Sequence, residues 1–239
     1  MPITNLPIED HRADWLRLRT TVMVRWIAIA GQIAAVLVAE LLLGIDARIG
    51  SCALLIAVSA LLNLGLTLVY PISTRLTAQQ SMLMLVFDLC QLAGLLALTG
   101  GLVNPFSVLV LVPVTISATA LPLRHTVMVT GLAILLTLAF GFFNLPLRMD
   151  DGRVLQLPPL FEFGEGAAII LGTIFVSAYV RRVSMEIHRM SEALLATQMA
   201  LAREQKLTDL TGVVAAAAHE LGTPLATIKL ASAEMVREM

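Results

Sequence analysis

SMLMLVFDLCQLAGLLALTGGLVNPFSVLVLVPVTISATALPLRH, residues 81–125, decides how the chain is read. Between Met82 and Leu121 the only charged residue is Asp88, and the apolar run is broken by Gly-Gly and Asn-Pro at 100–105. A helix that crosses a bilayer needs roughly 20 mainly apolar residues. Gly-Gly and Asn-Pro are turn signals. The stretch therefore reads as two spanning helices, Met82–Thr99 and Phe106–Leu121, joined by a short hairpin. The second is the shorter of the two and contains Pro113, which is expected to kink it.

Working outward, four more runs have the same character: Trp26–Ile45, Cys52–Tyr70, Val127–Leu147 and Glu165–Val180. Composition agrees, because 58% of the 239 residues are hydrophobic and only 14% charged. Soluble domains carry about 25% charged residues. Aromatic residues make up only 5%, which favours helices over a barrel with aromatic girdles. The expected fold class is an all-α membrane protein with six transmembrane helices. A net charge of −1 offers no field that would gather nucleic acid. Cys52 and Cys90 lie inside apolar runs and read as buried thiols rather than a disulfide framework. No metal ligands are assigned. The N-terminal MPITNLPIEDHRADWLRLRTT is polar for too long to be a cleavable signal peptide.

Cytoplasmic loops collect Lys and Arg. With the N-terminus inside, Arg12, Arg17, Arg19, Arg25, Arg75, Arg124, Arg181 and Arg182 fall on the inner side, and Arg48, Arg148 and Arg153 on the outer. Eight against three puts both ends in the cytoplasm, as an even number of spans requires. Glu40 and Asp88 are costly in hydrocarbon and should face the bundle or a cavity. Gln32, Gln91 and Asn63 are placed to hydrogen-bond between helices.

Beyond Arg182 the composition changes. Residues 183–211 contain neither proline nor glycine, and Val183, Ile187, Met190 and Leu194 follow the 4-3-4 spacing of a two-stranded coiled coil. Leu201, Leu207, Leu210 and Val214 resume the stripe out of phase, as after a stutter. The expected organisation is a tail at 1–25, a six-helix membrane domain at 26–180, a coiled-coil linker at 181–211 and the start of a dimerisation helix at 212–239.

That last helix carries AAAAHELGTPLATIKL, residues 215–230. Val214, Ala217, Ala218, Leu221, Leu225 and Ile228 fall in one stripe about 100° wide, which buries itself against a partner. His219 lies about 140° from Val214, on the exposed side, with Glu220 beside it and Thr223 one turn on. A neutral imidazole is a usable nucleophile near pH 7. A neighbouring carboxylate can orient it and accept the Nδ1 proton while Nε2 attacks. Pro224 removes a helix hydrogen bond and Gly222 adds slack.

HELGTPLATI resembles the H-box of sensor histidine kinases, with His219, Glu220, Thr223, Pro224 and Leu225 matching its His-Glu-x-x-Thr-Pro-Leu pattern. Gly222 departs from the Arg or Lys common before the threonine. In this form, after a run of alanines, the string is similar to that of the RegB/PrrB/ActS redox-sensing group. The resemblance implies that His219 is the phosphoacceptor and Glu220 the catalytic acid/base, and that Thr223 assists dephosphorylation of a partner regulator. It also bears on the hairpin. Gly100, Gly101, Asn104, Pro105 and Phe106 match the group's Gly-Gly-x-x-Asn-Pro-Phe segment, associated with ubiquinone sensing. From the residues alone that segment is first a turn. As a ligand site it would offer backbone N–H groups, the Asn104 amide and the Phe106 ring.

The resemblance thus implies a homodimer in the bacterial inner membrane, with ubiquinone as signal and a cognate response regulator as phosphate acceptor. ATP would act only through a domain not recognised within these residues, so this stretch by itself is not expected to phosphorylate itself. The group's redox-active cysteine has no counterpart after Cys90. Two other readings remain: a six-helix transporter or channel with Glu40 and Asp88 in its pathway, and a regulatory partner phosphorylated in trans by a complete kinase.

Overall fold

Helix ends in this chain fall where the sequence caps the backbone or interrupts its hydrogen bonding. The computed structural model describes residues 18–46, 48–71, 76–149 and 151–237. The Asp46 side chain and, after 208, all side chains except those of 210, 224–226, 228, 229 and 232 lie outside the described set. Six α-helices follow in order: α1 Leu18–Leu41, α2 Ile49–Val69, α3 Ala78–Leu98, α4 Leu111–Ala120, α5 Leu123–Phe142 and α6 Pro159–Arg237. Thr77 opens α3 with a capping box: its hydroxyl accepts the Gln80 N–H at 3.3 Å, and the Gln80 side chain accepts the Thr77 N–H at 3.0 Å. Gly100, at φ 94°, follows the end of α3. Pro122 precedes α5, and Pro159 opens α6, where its fixed φ suits a first turn and its missing N–H is not needed.

Among the described residues, five helices are long and apolar enough to cross a membrane: α1, α2, α3, α5 and the 159–208 part of α6. The remaining expected span is a shorter apolar helix, Pro105–Ala120, built from a 3-10 segment at Pro105–Val110 and then α4. Pro113 was expected to kink this span. It sits instead in the first turn of α4, where its missing N–H breaks little, and the 3-10 segment lies just before it. The helices α1, α2, α3, α5 and α6 all start before the apolar runs that marked them. Helix α1 starts at Leu18 rather than Trp26, and α6 at Pro159 rather than Glu165. Polar or aromatic first turns hide such starts from a hydropathy reading. The tail at 1–17 lies outside the described residues.

Two short strands were not foreseen. β1, Ile45–Asp46, pairs antiparallel with β2, Arg148–Met149. The chain after β2 turns back at once: Met149 N–H donates to the Arg153 carbonyl at 2.8 Å, and Leu155 N–H to that of Leu147 at 2.9 Å. The expected loop is thus partly a small hairpin.

The chain divides into two units, Met1–Ser184 and Met185–Met239. In the first, α3 is central. Its Leu89, Ala93 and Leu96 pack with Val110, Val114, Val129, Ala133, Phe140 and Ile169 from the 3-10 segment, α4, α5 and α6. A second cluster joins Ile29 of α1, Cys52 and Ile56 of α2 and Leu95 of α3. In the second unit the helix shows Ile187, Met190, Leu194, Leu201, Leu207 and Leu210 exposed.

Polar residues inside the spans find one another. Arg25 donates from Nε to Asp88 Oδ1 at 2.8 Å and from Nη2 to Oδ2 at 3.1 Å. Its guanidinium also lies 5.7 Å from the centre of the Phe87 ring. Gln32 and Gln91 exchange two amide hydrogen bonds, at 3.1 and 2.9 Å. Asn63 donates to the Val22 carbonyl at 3.1 Å. The amides therefore hydrogen-bond between helices as expected, and Asp88 faces the bundle. Two expectations are corrected. Cys90 is exposed, because its neighbours Leu89 and Gln91 occupy the buried face of α3; Cys52 is buried. Arg25, counted with the inner loops, is buried in α1 and bonded to Asp88, so the inner count falls to seven.

Removing Asp88 alone strands a buried guanidinium. Asp88→Ala is expected to destabilise the detergent-solubilised chain by about 3–5 kcal/mol, with Arg25→Met plus Asp88→Leu much closer to the parent. Unfolding titrations of the three proteins check this, and equal losses in both variants would show that the pairing is unimportant.

Candidate functional site

The hairpin at 100–107 is held by backbone that only glycine accepts comfortably. Gly100 and Gly101 both have positive φ, 94° and 57°. A Cβ on Gly100 would sit 2.7 Å from Leu147 Cδ1, and one on Gly101 would meet the Phe140 carbonyl and stand 2.8 Å from the Asn144 side chain. The glycines thus allow a turn that lies directly against the end of α5 and the chain after it.

Asn104 fastens the turn. Its Nδ2 donates to the Thr99 carbonyl at 3.1 Å and to the Thr99 hydroxyl at 2.7 Å, while its Oδ1 accepts the Phe106 N–H at 2.9 Å. Thr99 Oγ1 in turn donates to the Leu95 carbonyl at 2.7 Å. Pro105 then begins the 3-10 segment. The amide expected to offer a ligand donor is therefore engaged inside the turn. What the segment leaves open is Phe106, 47% exposed. Gly100, Gly101, Asn104, Pro105 and Phe106 form one continuous turn, as their sequence adjacency requires.

Three participants were invisible in the sequence. Thr99 receives Asn104. Ser107, fully buried, donates to Glu165 Oε1 at 3.4 Å across 58 residues of sequence. Leu102 enters the gap left by Gly141 of α5 and Gly166 of α6. No sequence signal links residues so far apart, and the x positions of a motif carry no chemistry of their own.

His219, Glu220 and Thr223 lie within α6, which continues through Pro224. Their side chains are outside the described set. Among nearby described side chains, Leu225 and Ile228 are exposed, at 63% and 65%. The hairpin belongs to the first unit and His219 to the second. Among the described residues, no group of three or more His, Cys, Asp and Glu could hold a metal ion.

An all-helical chain with five helices of spanning length and composition is a polytopic membrane protein in class. The particular kinship comes from two curated proteins of Cereibacter sphaeroides, each named Sensor histidine kinase RegB. One is 54% identical to this chain over 231 residues, and the other, from a strain of that species, is 55% identical over 231 residues. The chain is a homologue of the RegB sensor histidine kinases over 97% of its length, and it spans about half the length of these relatives. Coverage that complete takes in both the hairpin and the His219 stretch. No family model matches the chain, and no solved structure matches it.

The positive φ of Gly101 makes a specific prediction. Gly101→Ala is expected to lose about 1–2 kcal/mol from the left-handed backbone alone, and more from the collision. Gly65→Ala, where a Cβ meets nothing within 4 Å, is expected to be neutral or to gain up to about 1 kcal/mol. Thermal unfolding in detergent separates the two, and equal midpoints would show that the turn does not depend on glycine.

Proposed function

We propose that the chain is the sensor and phosphoacceptor part of a membrane-bound histidine kinase of a two-component system that responds to redox state through the quinone pool. The observation that carries this reading is the 54–55% identity to proteins named sensor histidine kinase, in alignments that cover 97% of the chain. The Asp88 carboxylate, which the transporter reading would use, is paired with Arg25.

The membrane part has six spans. The 3-10 segment of 6 residues rises about 2.0 Å per residue, or about 12 Å. The 10 residues of α4 add about 15 Å. The sum approaches the hydrocarbon thickness of about 30 Å, so this segment crosses despite its residue count. Seven inner arginines against three outer ones support an orientation with both termini on the cytoplasmic side of a bacterial inner membrane. The exposed stripe from Ile187 to Leu210 supports pairing with a second copy in a coiled coil.

Ubiquinone would meet the hairpin chiefly through the open face of Phe106, since aromatic stacking suits its ring. A hydrogen bond from Asn104 to a quinone carbonyl would require it to release Thr99. At the output end, His219 Nε2 attacks the γ-phosphorus of ATP held by a domain outside this stretch. A P–N bond forms, the β–γ P–O bond breaks and ADP leaves. Glu220 orients the imidazole and takes up its Nδ1 proton. The phosphoryl group then passes to an aspartate of a response regulator, and Thr223 assists its later transfer to water, which releases inorganic phosphate.

The complete protein, incubated with γ-labelled ATP, is expected to gain an acid-labile, base-stable phosphate that His219→Gln abolishes. Retained label in that variant would refute the assignment of His219. Thr223→Ala is expected to keep the label and slow dephosphorylation of the regulator, read as the regulator's phosphate half-life.

A further inference from the structure

The hairpin and α6 touch at two adjacent positions of the helix. Gly166 is one. A Cβ there would lie 3.1 Å from Leu102 Cδ1, and a Cβ on Gly141 of α5 would lie 3.0 Å from the same atom. Both glycines are helical, and neither has positive φ. Backbone freedom does not explain them, and glycine inside a helix is a weak helix former. The space they leave does explain them, because the leucine tip is gripped from two sides. A methyl on either helix would push it into the other. Gly31, Gly65, Gly131 and Gly164 show the contrast, since a Cβ on any of them would meet nothing within 4 Å.

Glu165 is the other position. Its carboxylate accepts the hydroxyl of fully buried Ser107, the residue after Phe106. Thus Leu102 and Ser107 bracket the Asn104–Phe106 turn and hold α6 at consecutive residues, while the Phe106 ring stays exposed. One face of the hairpin is open and the other is keyed to the helix. Helix α6, Pro159–Arg237, also carries His219.

We infer that Leu102 in the Gly141–Gly166 gap, with the Ser107–Glu165 hydrogen bond, is the seat through which the hairpin sets the position of α6, so that a quinone-type ring bound at Phe106 is read as a displacement of that helix. This inference rests on the proposed quinone-regulated kinase and names the residues that regulate it. Leu102, Gly141, Ser107, Glu165 and Gly166 act here as positioning residues.

The test uses the complete protein in lipid nanodiscs, with ubiquinone-1 as probe. Two quantities are read for each variant: the dissociation constant of ubiquinone-1, and the ratio of autophosphorylation rates without and with saturating ubiquinone-1. Gly166→Ala and Glu165→Ala are expected to leave the dissociation constant near that of the parent and to change the rate ratio by roughly threefold or more, the scale such couplings reach. Leu102→Ala combined with Gly166→Ala is expected to behave like Leu102→Ala alone, because the added methyl then has room. Glu165→Gln, which can still accept the serine hydroxyl, is expected to restore much of the ratio. Each variant is used only if it elutes as the parent does.

Outcomes separate cleanly. If the parent binds ubiquinone-1 and its rate responds, but Gly166→Ala and Glu165→Ala respond as the parent does, the seat is overturned and the kinase reading stands. Additive effects of Leu102→Ala and Gly166→Ala overturn the seat as well. If the parent neither binds ubiquinone-1 nor changes rate with it, the quinone reading falls and takes the seat's signalling role with it.

Discussion

Hydrocarbon offers no partner to a polar group, so a polar side chain placed in a spanning helix is costly unless another helix or the backbone supplies a partner. Arg25 and Asp88 show the strongest form of this constraint. Neither is tolerable alone at its depth, and together they tie α1 to α3 by two hydrogen bonds. The Gln32–Gln91 exchange repeats the tie further along both helices. These contacts select a register between α1 and α3 that apolar packing would leave loose, since lipid tails are as apolar as leucine. With α3 fixed, its opposite side can close on α4, α5 and α6 through Leu89, Ala93 and Leu96.

The same constraint shapes the turn after α3. A helix ending near the membrane surface leaves carbonyls without donors. Asn104 donates to one of them, at Thr99, and Thr99 to another, at Leu95. The two glycines let the turn lie close enough to α5 for Leu102 to reach between α5 and α6. A turn that only reversed the chain would not need that depth. Helical Gly141 and Gly166, with Leu102 pressed against both, make the hairpin part of the packing between the last two spans.

Much of the architecture was legible in the sequence because a bilayer filters composition strongly. Long apolar runs can hardly be anything except buried or lipid-facing helices, so Cys52–Tyr70 and Met82–Thr99 foretold α2 and α3 closely. Starts were less legible. Leu18 to Arg25 reads as a polar tail until Arg25 is known to have Asp88 as partner. The 3-10 segment at Pro105–Val110 was hidden because periodicity cannot separate a tight helix from a short α-helix of the same residues. The paired strands at Ile45 and Arg148 are two residues each, below any pattern. Of the hairpin, the residues alone gave a turn, and the family resemblance gave the five motif residues and nothing of their partners. Ser107, Gly141, Glu165 and Gly166 enter only when the fold brings α5 and α6 to the turn.

A turn that is also proposed to receive a ligand must divide its groups between the two tasks. In this hairpin the division follows chemistry. The polar group, Asn104, closes the turn and is satisfied internally, which keeps a half-buried amide from going unpaired. The apolar group, Phe106, takes no part in closing the turn through its ring and stays 47% exposed. A ligand that exploits only the ring leaves the turn intact. A ligand that also needs the amide must displace Thr99, and that loosens the end of α3, the same helix that anchors α1 through Asp88. Ring recognition alone therefore leaves α3 in place, whereas recruiting the amide reaches the helix on which the rest of the bundle is registered.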